Sequence, residues 1–297
     1  MSDATPALSA VGLGRRYGRR AWALRDCTID LPQGRIIGLV GANGAGKTTL
    51  LHLAIGLLRP TEGMVSMFGR PIRMDRPAGL ARVGFVAQDH PLYKGFSVSD
   101  MLRFGHAMNP RFDRAGARRR LRDLDIPLDR KAGALSGGQQ AQVALTLALA
   151  KQPRILVLDE PVASLDPLAR REVMRTLVDA VAGTDLTVLL SSHVVTELER
   201  VCDHLVLLHQ GRVRLAGDID DLLAGHRLLT GPRSDDAVEV QGVVNATHGL
   251  RHSSLLVRRP AGAPTHPRWE AHPVGLEEIV LAYLEQPDIN RPAERRA

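Results

Sequence analysis

Apolar positions alternate with polar ones at Trp22, Leu24, Cys27, Ile29 and Leu31, with one break near Cys27. This is the mark of a half-buried strand, and it ends in the turn Pro32-Gln33-Gly34. The next stretch changes character, because Ile36-Ile37-Gly38-Leu39-Val40 is apolar throughout, as in a central strand covered on both faces. It runs into a glycine-rich loop and then into residues 48–55, whose pattern is helical and stops near Gly56 and Pro60. Further short apolar strands are expected at 83–87, Ile155–Leu158, 187–190 and 204–208, the last turning at Gln210-Gly211 into 212–216. Helical segments separate the later members, which is the alternation of a parallel sheet with crossover helices. From about Tyr93 to Ala150 that rhythm stops. Helix signals replace it, among them the capping box Ser97-Val98-Ser99-Asp100, so a helical insertion is expected there. After Gly217 the pattern weakens to apolar strips at 237–244 and 254–257, followed by an amphipathic helix over 275–284 and a polar tail from Gln286 to Ala297 expected to fray. A small appended αβ unit is the expectation for this region.

Composition narrows the class. A chain of 297 residues that is 44% hydrophobic has material for a sizeable core and about two domains, which excludes bulk disorder. No apolar run approaches the roughly 18 residues that cross a bilayer, and Met1-Ser2-Asp3-Ala4-Thr5-Pro6 has no signal-peptide character, so a cytoplasmic location is expected. Cys27 and Cys202 lack ligand or redox spacing and read as buried small residues. The formal charge of +7 raises the question of an anionic partner. The arginines are spread along the chain and interleaved with Asp and Glu, so no nucleic acid is expected. The densest run, which holds Arg118, Arg119, Arg120 and Arg122, reads as a solvated helix face.

Three motifs carry chemistry. Gly41-Ala42-Asn43-Gly44-Ala45-Gly46-Lys47-Thr48 fits the G-x-x-x-x-G-K-[ST] phosphate loop and has the strand, loop, helix setting that motif needs. Glycines at 41, 44 and 46 let backbone N–H groups face a polyphosphate, and the helix start at Lys47-Thr48-Thr49 adds a positive dipole end. Lys47 would bridge the terminal phosphates of ATP, Thr48 would offer a hydroxyl to Mg²⁺, and Asp159 at the end of an apolar strand would hold the ion's water shell. Glu160 follows directly. Neighbouring side chains on a strand end point apart, so one carboxylate can serve the metal while the other acts as base toward the attacking water. Leu135-Ser136-Gly137-Gly138-Gln139 combines an S-x-x-Q capping box with two glycines that a plain cap does not need. A phosphate could approach such a helix start closely. Two phosphate sites with a single glycine loop suggest two copies sharing two ATP molecules.

These residues resemble the ATP-binding cassette (ABC) ATPases over about residues 8–217. The phosphate loop, Gln88 after a strand, the LSGGQ string at 135–139, Asp159-Glu160, Ser164-Leu165-Asp166 and His193 after a strand occur in family order. The resemblance implies a P-loop α/β fold: a mixed, mostly parallel sheet, an N-terminal antiparallel β subdomain, a helical subdomain at about 93–150, and here a small C-terminal αβ extension at 218–285. It implies that Tyr17 stacks on adenine, that Gln88 senses the γ-phosphate and Mg²⁺ while touching a membrane partner, and that His193 holds the γ-phosphate and water. It also implies that the Asp166 segment crosses a head-to-tail interface with a second copy or a paralogous ATPase. Asp166-Pro167 independently reads as an N-cap with Pro at the first helical position. Two departures stand out: Gln140-Ala141-Gln142 where the family usually places basic residues, and Val162 where Thr is common. The expectation is an ATPase subunit serving a separate transmembrane permease, most similar to bacterial exporters of drugs, peptides or lipids. Importer ATPases and soluble ABC ATPases are the alternatives.

Overall fold

The structure is a computed structural model and describes residues 5–18, 21–72, 81–233, 240–250, 252–259 and 268–286. The chain divides into two compact units, 1–216 and 217–297. In the first unit, β1 (Leu8–Tyr17) and β2 (Ala21–Leu31) pair antiparallel, and the break near Cys27 is a bulge at Asp26, whose φ is +54°. Sequence periodicity does not reveal β1, because its register shifts twice between Ala10 and Arg15, around Gly12 and Gly14. Then come β3 (Ile36–Val40), α1 (Lys47–Ala54), β4 (Glu62–Met67) and β5 (Arg70–Pro71). Strand β4 also escapes the pattern, since Val65 is its one fully buried side chain. Strands β2-β1-β4-β5 form the antiparallel sheet.

Strand β3 begins the second sheet and β6 (Val83–Val86) is at its edge; the chain then leaves the sheet for α2 (Val98–Met108), α3 (Arg114–Asp123) and α4 (Gly137–Ala150). It returns through β7 (Ile155–Leu158), α5 (Pro167–Val181), β8 (Thr187–Ser192), α6 (Val195–Glu199), β9 (His204–His209) and β10 (Arg212–Asp218). The six-stranded order is β10-β9-β3-β8-β7-β6, and every pair from β9 to β6 is parallel. All five residues of β3 are buried, as its unbroken apolar run requires. Leu39, Leu51, Ile155, Val157, Leu189 and Val206 pack in one cluster between the elements, each contributing about 1.5–3 kcal/mol by leaving water. Because β3 lies between β8 and β9, and β8 beside β7, the carboxyl ends of β3, β7 and β8 come together.

Helices α2 to α4 enclose their own core of Val98, Leu102, Leu121, Leu135 and Val143. Each start is capped: the Ser97 and Asp100 box for α2, Asp113 for α3, and the Ser136 and Gln139 box for α4. In the arginine run, Arg118, Arg119 and Arg122 are exposed as a solvated face requires, and one member departs from that reading. Arg120 turns inward and its guanidinium donates to Thr146, Gln142 and Thr176. Cys27 and Cys202 are buried and unpaired.

The second unit holds α7 (Ile219–Ala224), β11 (His226–Pro232), β12 (Val243–His248), β13 (His252–Arg258), β14 (Glu270–His272) and α8 (Leu276–Glu285). Its antiparallel sheet runs β12-β13-β11-β14 around Leu229, Leu255 and Val257. Strand β11 was not legible as an apolar strip, because only His226, Leu229 and Gly231 of it are fully buried. Part of the expected 237–244 strip and the tail beyond Gln286 lie outside the described residues. Among the described residues no helix is long and apolar enough to cross a membrane.

Candidate functional site

Leaving β3, the backbone folds into a loop that only glycine accommodates at its end. Gly46 has φ +105°, and a Cβ there would lie 2.5 Å from the Ala23 carbonyl oxygen. Gly44, at φ +79°, makes the preceding turn. Gly46 is also the N-cap of α1 and offers no side-chain acceptor, so the first N–H groups of the helix have no intrahelical or capping partner. They border a cavity of about 560 Å³ lined by Ala42, Asn43, Gly44, Gly46, Lys47, Thr48 and Thr49 on the loop side. Gln88, Glu160 and His193 line it from the ends of neighbouring strands, and Ala23 and Ala163 complete it.

Charge inside this cavity is arranged in a chain. Lys47 is buried, donates from Nζ to the Gly41 carbonyl at 2.7 Å, and stands 3.3 Å from Glu160 Oε1. The other Glu160 oxygen, Oε2, accepts from His193 Nδ1 at 2.7 Å, which fixes the proton of that ring on Nδ1. Glu160 itself has φ +49°, a left-handed backbone costing about 1–3 kcal/mol that turns its side chain away from that of Asp159. Asp159 is buried, and its Oδ1 accepts from Ser191 Oγ at 2.7 Å, while the same hydroxyl accepts the Glu160 N–H at 2.8 Å. Ser191 thus ties the Asp159 carboxylate to the Glu160 backbone, and no sequence motif pointed to it. His90 is a second residue without a motif: it bonds the Pro161 carbonyl at 3.1 Å, and burial pushes its pKa below the usual histidine value.

Other expected residues stand elsewhere. Tyr17 is half exposed at the end of β1, outside the cavity lining, with the Arg15 guanidinium 5.0 Å from its ring centroid. Ser136, Gly137, Gly138 and Gln139 form the exposed start of α4 and do not line the Lys47 cavity. There Ser136 Oγ accepts the Gln139 N–H at 3.2 Å and Gln139 Oε1 accepts the Ser136 N–H at 3.1 Å. Asp166 is exposed and caps α5 through Leu168 N–H and Ala169 N–H, both at 3.0 Å. Gly41 and Ala45 shape the loop backbone: the Gly41 carbonyl receives Lys47, and Ala45 N–H bonds Ala42 O at 3.0 Å. Among the described residues no three His, Cys, Asp or Glu side chains gather as a metal cage. Thr48, Gln88 and Asp159 offer hydroxyl, amide and carboxylate oxygens, a donor set that suits a hard cation shared with phosphates.

A loop that wraps anions beside a lysine, with a carboxylate and histidine opposite, fits a nucleotide triphosphate site. The family described as ABC transporter matches this chain over residues 24–163. A molybdenum import ATP-binding protein from Paramagnetospirillum magneticum is 34% identical over 72% of this chain, which spans only 61% of that relative's length. An energy-coupling factor transporter ATP-binding protein from Symbiobacterium thermophilum is 39% identical, covering 69% of this chain and 74% of the relative. A sulfate/thiosulfate import ATP-binding protein from Agrobacterium fabrum is 36% identical over 71% of this chain and 63% of its own. Among solved structures, cbiO1 from Clostridium perfringens, described as part of the ABC transporter complex cbiONQ, matches with a TM-score of 0.65. It is 28% identical and covers 74% of this chain and 91% of its own.

Proposed function

Since the chain belongs to the ABC transporter family as an ATP-binding subunit, we propose that it hydrolyses ATP to power import through a separate membrane permease. The single observation that carries the hydrolytic part is Glu160, held between Lys47 at 3.3 Å and His193 at 2.7 Å on the wall of the glycine-loop cavity. The loop and the start of α1 would cradle the phosphates, and Lys47 would exchange the Gly41 carbonyl for phosphate oxygens. Glu160 would take the proton of the water that attacks the γ-phosphorus, while the bond to the ADP oxygen breaks and His193 steadies the departing phosphate. Thr48, Gln88 and Asp159 would hold Mg²⁺, which when bound neutralises charge on the phosphates.

Import is favoured because the molybdenum and the sulfate/thiosulfate relatives are named for it, and the export expectation finds no support among these relatives. A second copy would supply Ser136 and Asp166 in head-to-tail fashion, since neither lines the cavity of its own chain. For the permease contact, residues 89–98 and their surroundings offer an exposed aromatic patch. Tyr93 meets Phe96 at a tilt and Phe104 edge to face there, with centroids 5.2 and 6.0 Å from its own.

The test is Glu160→Gln. ATP affinity should be kept, turnover should fall by roughly a hundred- to ten-thousandfold, and ATP should accumulate in a stable dimer seen by sedimentation. Undiminished hydrolysis would remove Glu160 from the role.

A further inference from the structure

Three of the buried polar side chains outside the Lys47 cavity surround one group. Gln142 and Thr146 on α4 and Thr176 on α5 are each less than a tenth exposed, and the Arg120 guanidinium on α3 donates to all three. Nε reaches Thr146 Oγ1 at 3.1 Å, and Nη2 reaches Gln142 Oε1 at 3.4 Å as well as Thr176 Oγ1. Both hydroxyls pass their own protons back to their helices, Thr146 to Gln142 O at 2.7 Å and Thr176 to Glu172 O at 2.8 Å. Each is therefore oriented to accept from the guanidinium.

The partners are neutral oxygens, and the carboxylates of Asp123 and Asp179 act on Arg120 only through space. A half-buried cation so placed adds little stability over an apolar side chain of similar size. Its rigid planar fork instead sets the distance and angle between the elements it joins. Arg120 joins α4 and α5 about one and a half to two and a half turns from their starts. At the starts themselves the helices already touch, since a Cβ on Gly138 would lie 3.0 Å from the Cβ of Ala169. Two attachments along one pair of helices fix their crossing. The residues at the two starts are Ser136 and Asp166, both exposed.

We propose that Arg120 is a positioning residue for the half of the ATP site that a partner copy completes: it locks α4 to α5, so that Ser136 and Asp166 are presented as one surface. This rests on the reading that those two residues act on the partner's nucleotide. Without the fork, α4 can pivot on the Gly138 and Ala169 contact, and its start no longer keeps step with that of α5.

The experiment uses the full chain in the Glu160→Gln background, with the ATP-dependent dimer measured by sedimentation. Adding Arg120→Gln should weaken the dimer about tenfold, within the range by which coupling residues act, while ATP affinity of the monomer stays within about twofold. With Glu160 restored, Arg120→Gln should lower kcat about tenfold. Moving the guanidinium across the contact, as Arg120→Gln with Gln142→Arg, should recover most of both losses, read as kcat per folded molecule. A dimer equally tight with and without Arg120 would overturn the inference. So would a lowered melting temperature with kcat per folded molecule unchanged. Should Glu160→Gln alone fail to dimerise with ATP, the two-copy reading itself falls, and the inference with it.

Discussion

Two helix starts in this chain look equally suited to an anion in sequence, and they are built in opposite ways. At α1 the N-cap is Gly46, which has no side chain to close the helix, and the adjacent lysine is drawn to backbone carbonyls and to Glu160. At α4 the N-cap is Ser136, and its hydroxyl and the Gln139 amide already satisfy each other's backbone N–H groups. The first start leaves its donors for a ligand, with a cation and a base beside them. The second is complete by itself, so an anion there must compete with an existing cap worth about 1 kcal/mol. A phosphate held firmly at α1 and offered to α4 by a second molecule meets that condition, because the second contact then costs no further loss of translational freedom.

The contrast can be broken at four points, in order of expected size. Lys47→Ala removes the one lysine or arginine in the cavity lining among the described residues and should lower turnover by about a hundredfold or more, measured as phosphate release. Equal turnover would mean that the α1 start is not the gripping side. Gly46→Val forces a branched side chain onto a backbone at φ +105°, against the Ala23 carbonyl. It should cost about 1–3 kcal/mol in thermal unfolding and weaken nucleotide binding about tenfold. Ser136→Ala should cost about 1 kcal/mol of stability and leave monomer ATP affinity unchanged. A loss of monomer affinity would place Ser136 on its own chain's nucleotide and end the comparison.

The smallest effect serves as a control in the other unit. His226 is buried, donates from Nδ1 to Leu222 O at 2.7 Å and accepts the Tyr283 hydroxyl at Nε2, 3.1 Å away. Burial lowers its pKa, and the Arg258 charge adds to the shift. The unfolded chain therefore binds this proton more readily than the folded one. Stability is full above the ordinary histidine value of about 6.5 and declines as pH falls below it. His226→Phe should flatten that decline without changing ATP affinity at neutral pH. A change in affinity would show that the control is not independent of the site.

Much of this was legible in order along the chain. Strand β3, the glycine loop and α1 are continuous, so apolar period and glycine spacing describe them without help from distant residues. The same holds for β7 with Asp159 and Glu160, and for the capped start of α2. Strands β1, β4 and β11 escaped because bulges or one-sided exposure interrupt alternation. Arg120 was misplaced for a related reason. A run of arginines reads as a wet surface, and nothing local says that Thr146 and Thr176 wait beneath it.

The sequence alone determined the local chemistry: a phosphate-wrapping loop, adjacent carboxylates, a capped glycine helix start and the family they belong to. These depend on neighbours within a few residues, where backbone geometry leaves little choice. Which groups meet was decided by the strand order β3-β8-β7, which carries His193 to Glu160 and Ser191 to Asp159 across 33 and 32 residues. Pairing at such separations is set by how strands pack to bury their apolar faces, a property of the whole sheet and of no segment in it.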